Sequence, residues 1–452
     1  MRKMLCGLAL AASLAGATPA LAQEGGGEIE VPFTQFQLAN GLQVILHEDH
    51  TIPVVHTNIW YRVGSCNEQV GRTGFAHLFE HLMFEGSGHV REGEFDRLLE
   101  SVGGSNNAST SSDRTNYYCS VPSCALELPL FLESDRMGFL LDSMSPNVVD
   151  AQRDVVKNEM RQSYLNRPYG RIWMELPRLL YPKDHPYNWP VIGSMEDLSA
   201  AGYQDVVDFF KKFYLPNNAS LVIAGDIDPV ETKALVEKWF GEIKPGPEVT
   251  KVGAEPVKLE GIVKKTIEDK VALPLRMQVW PTPPLYAKGD ADMDVLASIL
   301  AGGKNSRLYK RLVYELEIAQ AVSAMQSSSN LGSFFAVQYI PRPGVSLEKI
   351  QAIVAEEITK LQNEPPTPQE IERVVNMTES SYFATVEHVS EKADLLNNYW
   401  VHFGNPDSFD ADLERYRQVT PQSVMECARQ YLDLQKYVEL TVVPEKEEAP
   451  HV

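Results

Sequence analysis

Residues 74–84 constrain this chain more than any other stretch, and they read Gly-Phe-Ala-His-Leu-Phe-Glu-His-Leu-Met-Phe. Their apolar side chains recur at helical spacing and no proline interrupts them, which predicts a buried helix. On that helix His77 and His81 are four residues apart and share a face, with Glu80 beside them. Burying two imidazoles and a carboxylate among apolar neighbours is unfavourable unless they have a partner. The stretch therefore predicts a helix that binds one divalent metal ion.

The order His-x-x-Glu-His is the inverted form of the His-Glu-x-x-His motif of zinc enzymes. Two imidazoles alone hold zinc poorly, so a third ligand must come from elsewhere in the chain. Glu80 lies where a general base would take a proton from water and pass it to a leaving amine. The motif therefore indicates hydrolysis of a peptide bond.

The motif and its flanks resemble the M16 zinc metallopeptidases, the family of pitrilysin, insulinase and the mitochondrial processing peptidase. The flanks are Val-Gly-Ser at 63–65, Gly-Arg-Thr-Gly at 71–74 and Met-Phe-Glu-Gly at 83–86. They are similar to the shorter, processing-peptidase-like branch of the family, in its catalytic-subunit form. The resemblance runs from about Phe36 to the C-terminal region, and it implies one Zn²⁺ per chain.

The resemblance also implies a third zinc ligand. Glu159 lies 78 residues after His81, at the spacing and in the sequence context of the family's distal Glu ligand. Three protein ligands and one open position are typical of catalytic rather than structural zinc. Seven residues earlier the chain departs from many relatives, because Gln152 stands where they carry a supporting Glu. Gln152 can still hydrogen-bond, so it is a candidate for supporting the ligands, without supplying a charge.

Substrate binding is implied at Asn107 and Ala108, which begin an Asn-Ala-x-Thr run in a β-rich stretch. In the family this strand is a sheet edge that pairs with the substrate. Backbone hydrogen bonds from such an edge hold an extended peptide without reading its sequence closely. An ordinary edge strand with no ligand is the alternative reading of the same residues.

A second departure concerns the C-terminal half. Family members that supply the whole site carry an Arg there, and a Tyr seven residues later, which hold the substrate. Here Val313 and Gln320 occupy those two places, and neither can do that work. The resemblance therefore implies a hetero-oligomer, in which a homologous partner chain brings the Arg/Tyr pair; a homodimer is the less favoured arrangement. The substrates expected for an enclosed chamber of this kind are flexible oligopeptides.

The predicted fold class is α+β, with two homologous domains, each a mainly antiparallel sheet with helices packed on one face. We place a signal peptide at 1–22, a flexible segment at 23–33, the zinc-binding domain at 34–243, a linker at 244–257 and a second domain without zinc at 258–445. An Asn-Gly pair at 40–41 predicts a hairpin near the start of the first domain. Residues 167–190, rich in proline and aromatic residues, are predicted to lack regular structure.

The N-terminus predicts secretion. A basic start, an apolar Ala-rich run and an Ala-Leu-Ala cleavage site resemble a secretory signal peptide, so the expected location is a bacterial periplasm. No later stretch predicts a membrane anchor. The net charge of −20 and the lack of a basic patch exclude nucleic acid and anionic membranes as natural partners. After removal of the signal peptide, Cys66, Cys119, Cys124 and Cys427 remain. They are expected either to form disulfides, with a local bridge between Cys119 and Cys124 as one possibility, or to be buried as thiols.

Two alternatives come from other classes of function. The first is a non-catalytic M16-like scaffold or peptide-binding subunit, although such relatives usually lose the metal motif that is complete here. The second is a metal-dependent hydrolase of a non-peptide substrate. Zinc-dependent cleavage of a quenched oligopeptide, with and without a chelator, distinguishes the three.

Overall fold

A computed structural model describes residue 29 and residues 31–445 of the chain. The predicted signal peptide lies outside the described residues. Of the predicted flexible segment the structure describes the last residues, where Val31 is buried and the backbone N–H of Ile29 donates to Asp410 Oδ1 at 3.3 Å. None of the helices in the described part is both long and apolar enough to cross a membrane.

The described residues form strands and helices that alternate along the chain. The strands are β1 (Thr34–Gln37), β2 (Gln43–Glu48), β3 (Val54–Tyr61), β4 (Ser105–Thr110), β5 (Thr115–Pro122), β6 (Ala219–Gly225), β7 (Val263–Asp269), β8 (Leu275–Thr282), β9 (Ala319–Ser327), β10 (Ser333–Pro341) and β11 (Val438–Pro444). The helices are α1 (Phe75–Leu82), α2 (Glu94–Ser101), α3 (Glu127–Ser143), α4 (Pro146–Met160), α5 (Ile172–Leu180), α6 (Met195–Ala200), α7 (Tyr203–Phe213), α8 (Pro229–Phe240), α9 (Asp290–Ala301), α10 (Leu347–Asn363), α11 (Pro368–Val386), α12 (Val389–Phe403), α13 (Phe409–Arg417) and α14 (Pro421–Tyr431). There are also two π-helical turns, Arg161–Leu165 directly after α4 and Tyr309–Glu315 between α9 and β9.

The strands form two sheets, one in each half of the chain. The first has the order β1-β2-β6-β3-β5-β4 and the second the order β7-β11-β8-β10-β9. Each is antiparallel except for one parallel pair, β2 with β6 and β7 with β11. Between the sheets, residues 241–262 form neither helix nor strand. The predicted fold class of two similar, mainly antiparallel α+β halves is confirmed.

The predicted hairpin is present between β1 and β2. Gly41 adopts φ +89°, which favours glycine, and a Cβ there would lie 2.8 Å from the Cβ of Asn217. The Asn40 side chain donates to the carbonyls of Phe240 and Ile243 at 2.8 and 2.9 Å. The turn is therefore fixed both by its own backbone and by the end of α8.

Except for α5 and α12, the helices that build the two main cores pack on one face of their own sheet, as predicted. In the first half α1, α3, α4, α7 and α8 contribute to a single core against this face. Phe79 of α1 lies at the centre, with its ring stacked 5.0 Å from Phe209 and 4.9 Å from Tyr214. Because these aromatic residues are rigid and fully packed, α1 has little freedom to shift against the sheet.

The second face of the first sheet is covered by a helix from the other half. Ala393, Leu396 and Tyr399 of α12 are buried in a cluster with Ile45 and Val222 of the first sheet. The outer face of the second sheet is covered in turn by α5, a helix of the first half, which packs against β8 and β11. The two halves therefore exchange one helix each.

The prediction that residues 167–190 lack regular structure is wrong, because α5 lies inside this range. The helix contains Pro177, which removes a backbone donor and disfavours helix in isolation. Its buried residues Ile172, Leu176 and Leu180 are one turn apart and all reach the second sheet. Packing against a sheet distant in sequence stabilises a helix that local propensity disfavours.

Candidate metal centre

The helix α1 carries the centre, and its apolar side anchors it in the first core. Leu78 and Leu82 are fully buried, whereas His77 and His81 are only partly exposed on the opposite side. The two imidazole rings are 4.9 Å apart at an interplanar angle of 78°. The predicted spacing thus places both imidazole rings side by side on one face of α1.

The N-terminus of α1 is held by a buried carboxylate from the preceding turn. Glu68 accepts hydrogen bonds from the backbone N–H groups of Gly74 at 3.0 Å and Ala76 at 2.8 Å. Gly74 itself has φ +88°, and a Cβ there would lie 2.8 Å from the carbonyl oxygen of Ile192. Glu68 therefore satisfies donors that a helix N-terminus leaves free, next to the first histidine.

The helix α4 brings Glu159 to the two histidines. Glu159 Oε2 lies 3.2 Å from His81 Nε2 and 3.7 Å from His77 Nε2. A ligand atom from each of the three residues lies within 4.8 Å of the others, and they form the only such group of three in the described part of the chain.

These separations fit a zinc ion. In a tetrahedral zinc site, the bonds to nitrogen and oxygen are about 2.0–2.2 Å long. The ligand atoms of such a site therefore lie about 3.3 Å from one another. Two imidazole nitrogens and one carboxylate oxygen are also the donor types of catalytic zinc sites, which keep a fourth position open. The donor set and its spacing are therefore consistent with zinc.

The protonation states of the ligands favour metal binding. Burial lowers the pKa of His77, so its imidazole stays neutral at pH values where an exposed histidine would be charged. The hydrogen bond with His81 lowers the pKa of Glu159, which keeps that carboxylate ionised. A metal ion thus displaces few protons when it binds these side chains.

Glu80 is fixed beside the three ligands by the edge of the sheet. The hydroxyl of Thr110, at the end of β4, donates to Glu80 Oε2 at 2.6 Å. Both residues line a cavity of about 330 Å³ together with His77, Ala108 and Tyr164. Glu80 therefore lines the same cavity as the candidate ligand His77.

The strand β4 is the outermost strand of the first sheet and carries Asn107 and Ala108. The backbone N–H of Ser111 bonds the carbonyl of Arg114, so alternation in an antiparallel ladder points the N–H of Ala108 away from β5. That N–H donates to Asn107 Oδ1 at 2.8 Å. The side chain of Asn107 thus accepts the hydrogen bond of a backbone N–H that lies on the free edge of the sheet.

Gln152 does not reach the three candidate ligands through any hydrogen bond seen in residues 31–445. Its Nε2 donates to Glu85 Oε1 at 2.7 Å, just beyond the end of α1. Burial raises the pKa of Glu85, and the nearby Glu92 raises it further. The amide of Gln152 therefore stabilises a carboxylate that lies behind the centre.

Among the described residues, the second half brings no Arg or Tyr to this cavity. Val313 is half-buried in the π-helical turn, and Gln320 is exposed on β9. Arg307 is engaged elsewhere, since its guanidinium forms two bonds with Glu370 at 2.7 and 2.8 Å. The helix α9, at the place that corresponds to α1, contains no His or Glu.

Sequence reasoning missed three residues that build the site: Glu68, Thr110 and Tyr164. Thr110 closes the Asn-Ala-x-Thr run, so the run already held a signal for it. Tyr164 lies in the π-helical turn after Glu159, and burial together with the Glu159 carboxylate raises its phenol pKa. Such turns are frequent at functional sites but leave no sequence pattern. Glu68 gave no signal, because an acidic residue in a polar turn is usually solvated.

The four cysteines among the described residues are free thiols. Cys66, Cys119 and Cys427 are buried and Cys124 is exposed. The local bridge between Cys119 and Cys124, one of the possibilities left open by the sequence, is therefore not formed.

Comparison with known proteins finds two family profiles in this chain. The profile described as "Insulinase (Peptidase family M16)" matches residues 43–168, and the one described as "Peptidase M16 inactive domain" matches residues 200–378. The chain is 29% identical to the zinc protease PqqE of Helicobacter pylori over 369 residues, which cover 80% of this chain and 82% of that one. It is 22% identical to the uncharacterized zinc protease YmxG of Bacillus subtilis, over 88% of this chain and 95% of that one.

Solved structures show the same fold. A protease from Helicobacter pylori superimposes with a TM-score of 0.85 at 25% identity, over 92% of this chain and 100% of that one. The periplasmic protease PqqL from Escherichia coli superimposes with a TM-score of 0.73 at 20% identity, over 92% of this chain and 48% of that one.

Proposed function

The chain belongs to the M16 peptidase family, and from that membership and the geometry of its centre we propose that it is a zinc metalloendopeptidase. The observation that carries the proposal is the convergence of His77, His81 and Glu159 on one point, with Glu80 lining the same cavity as His77. The names of the zinc proteases that it resembles support the choice of metal.

In the proposed mechanism His77, His81 and Glu159 hold the ion through Nε2, Nε2 and Oε2. A zinc ion bound there supplies Lewis-acid chemistry, which acidifies water and polarises a carbonyl. Glu80 takes the proton of the attacking water and returns it to the nitrogen of the leaving amine. The hydrogen bond from Thr110 holds the carboxylate of Glu80 in place, so little reorganisation precedes proton transfer.

We propose flexible oligopeptides as the substrates. The free edge of β4 offers the N–H of Ala108 to an extended peptide, and the peptide carbonyl would displace Asn107 Oδ1 from it. Recognition through the backbone accepts many sequences but needs an unfolded segment. A folded protein cannot present one, so an enclosed chamber would select peptides by flexibility.

The catalytic arrangement is proposed to need a second chain. No Arg or Tyr stands at 313 or 320, so the chain is expected to bind a homologous M16-like partner that supplies the pair. Together with the predicted signal peptide, the likeness to a periplasmic protease supports secretion to the bacterial periplasm as the proposed location.

The variant Glu80→Gln tests the chemistry. It keeps the shape of Glu80 and can still accept from Thr110, but it cannot take a proton. We expect it to bind zinc as the wild type does and to cleave a quenched oligopeptide about 10²- to 10⁴-fold more slowly. Glu100→Gln, on the exposed surface of α2, is the matched control and should cleave normally. Near-normal cleavage by Glu80→Gln would refute Glu80 as the base.

Reconstitution tests the need for a partner. The purified chain alone should cleave the quenched oligopeptide weakly, because nothing stabilises the oxyanion from the second half. Adding the homologous chain that carries the Arg/Tyr pair should restore turnover, and a chelator should abolish it. Full activity as a homodimer would contradict the hetero-oligomer. Zinc binding without cleavage, in the presence of the partner, would favour the non-catalytic peptide-binding subunit.

A further inference from the structure

The helix α12 of the second half places one carboxylate against a group of polar side chains on the outer face of the first sheet. Asp394 Oδ1 accepts from Asn58 Nδ2 at 3.1 Å, Trp60 Nε1 at 3.0 Å and Asn116 Nδ2 at 3.2 Å. The three donors are buried and come from two neighbouring strands, β3 and β5. A carboxylate that receives three donors from another part of the chain fixes all of them relative to α12.

The same network continues from β5 to the edge strand β4. Asn116 Oδ1 accepts from Ser109 Oγ at 2.7 Å and from the Arg114 guanidinium at 3.1 Å. Arg114 also donates to the Ser109 carbonyl at 2.9 Å and lies 5.2 Å from the centre of the Trp60 ring. Ser109 is thus held through its side chain and its backbone by groups that Asp394 orients.

Ser109 separates the two functional residues of β4. Ala108 before it carries the N–H on the free edge, and Thr110 after it donates to Glu80. The side chain of Ser109 points to the α12 side of the sheet, where it bonds to Asn116, and the side chains of its two neighbours point to the opposite side. All three residues line the cavity beside Glu80. Because a strand is stiff over three residues, holding Ser109 sets the position of both neighbours.

We infer that Asp394 is a positioning residue for the centre: through Asn116, Arg114 and Ser109 it fixes the edge strand β4 and, with it, the Thr110 hydroxyl that orients Glu80. The inference rests on the proposed function, since it assigns a task within that site. It gives the half without metal ligands a direct part in the geometry of the half that has them.

The same helix provides a matched control two residues away. Lys392 also joins α12 to the first half, through an ion pair of 2.5 Å with Asp49. That pair lies beyond β2 and no hydrogen bond connects it to β4. Lys392→Met therefore removes a contact between the halves without touching the network around Asp394.

Hydrogen–deuterium exchange of the full chain with zinc tests the inference without requiring activity. In Asp394→Ala, the amides of β4 that bond to β5 should exchange about tenfold faster than in the wild type. Asp394→Asn should have a smaller effect, because its amide oxygen still accepts but no longer carries a charge near Arg114. Lys392→Met should leave exchange in this strand unchanged. Zinc content should stay the same in all of these variants.

Peptidase assays with the partner present add a second readout. For a quenched oligopeptide, Asp394→Ala should lower kcat about tenfold and raise KM, with Asp394→Asn intermediate and Lys392→Met equal to the wild type. Unchanged exchange in Asp394→Ala, or equal loosening of β4 in Lys392→Met, would overturn the inference. If Asp394→Ala does not fold, unchanged exchange in Asp394→Asn overturns it instead. A wild-type chain without peptidase activity would defeat the proposed function, while the exchange result would still decide the role of Asp394.

Discussion

At the scale of single residues, the pair formed by Gln152 and Glu85 explains a departure from the family pattern. The resemblance to the family implies a supporting Glu at the place of Gln152, and a Glu here would stand against the half-buried carboxylate of Glu85. The amide donates to Glu85 at 2.7 Å, so it removes a repulsion that a second carboxylate would create. The uncharged amide of Gln152 therefore suits the carboxylate of Glu85 in this chain.

The first prediction follows from that pair. Gln152→Glu should lower the free energy of unfolding at pH 7 by about 1–3 kcal/mol, because two carboxylates at hydrogen-bond distance cannot both stay ionised without cost. The loss should shrink at pH 5, where one of the two holds a proton. Urea unfolding at both pH values measures it.

The double variant Gln152→Glu/Glu85→Gln is the control for this prediction. It exchanges the positions of amide and carboxylate and should recover most of the lost stability, which a double-mutant cycle quantifies. If the single variant unfolds at the same urea concentration as the wild type at pH 7, Gln152 does not act through Glu85.

At the scale of elements, the position of α1 depends on a carboxylate that is not part of it. Glu68 bonds two N–H groups at the start of the helix, where the preceding Gly74 offers no side chain. Burial raises the pKa of Glu68 to about 8, even though these bonds favour its charged form. The capping residue of the metal-binding helix is thus also a group that titrates near neutral pH.

A prediction on pH dependence follows, with a definite sign. The folded chain holds a proton on Glu68 at pH values where the unfolded chain, with a pKa of 4.5, has lost it. Stability should therefore fall as the pH rises from about 5 to 8, by at most about 1.4 kcal/mol per pH unit. Urea midpoints of the metal-free chain from pH 5.5 to 7.5 measure the slope.

Glu68→Gln provides the reference for that slope. It cannot ionise, so its midpoints should lack the decline due to this group, although it loses one acceptor and should be less stable at pH 5.5. Parallel profiles for wild type and variant would show that Glu68 keeps the same charge in the folded and unfolded chains.

At the scale of the whole molecule, the two halves depend on each other. The helix α12 covers the apolar outer face of the first sheet, and α5 covers that of the second. A half produced alone would expose the face that the other half normally covers, and an exposed apolar sheet face promotes association. The similarity of the halves therefore does not make them independent units.

We predict that the chain cannot be divided at the proposed linker, 244–257, into two folded pieces. Residues 31–250 and 251–445 expressed separately should be insoluble or associate non-specifically. Expressed together they should form a 1:1 complex, because the exchanged helices supply the missing faces. Size-exclusion chromatography and circular dichroism of each preparation test this. A monomeric, cooperatively unfolding 31–250 fragment would contradict it.

The sequence by itself determined the local arrangements: the helix that carries His77 and His81, the hairpin at 40–41 and the presence of two similar halves. The helix and the hairpin depend on periodicity and turn residues within a short stretch of chain. The two similar halves are indicated by the repetition of such patterns along the chain. The approach of Glu159 to the histidines was implied only by resemblance to the family, since a helical Glu is usually solvated. The tertiary structure alone decided the exchange of α5 and α12, the capping of α1 by Glu68 and the contact of Asp394 with the sheet. The helix exchange and the Asp394 contact join residues far apart in sequence, which no local pattern records. Glu68 is only six residues from Gly74, but its role as a cap depends on its burial in the folded chain.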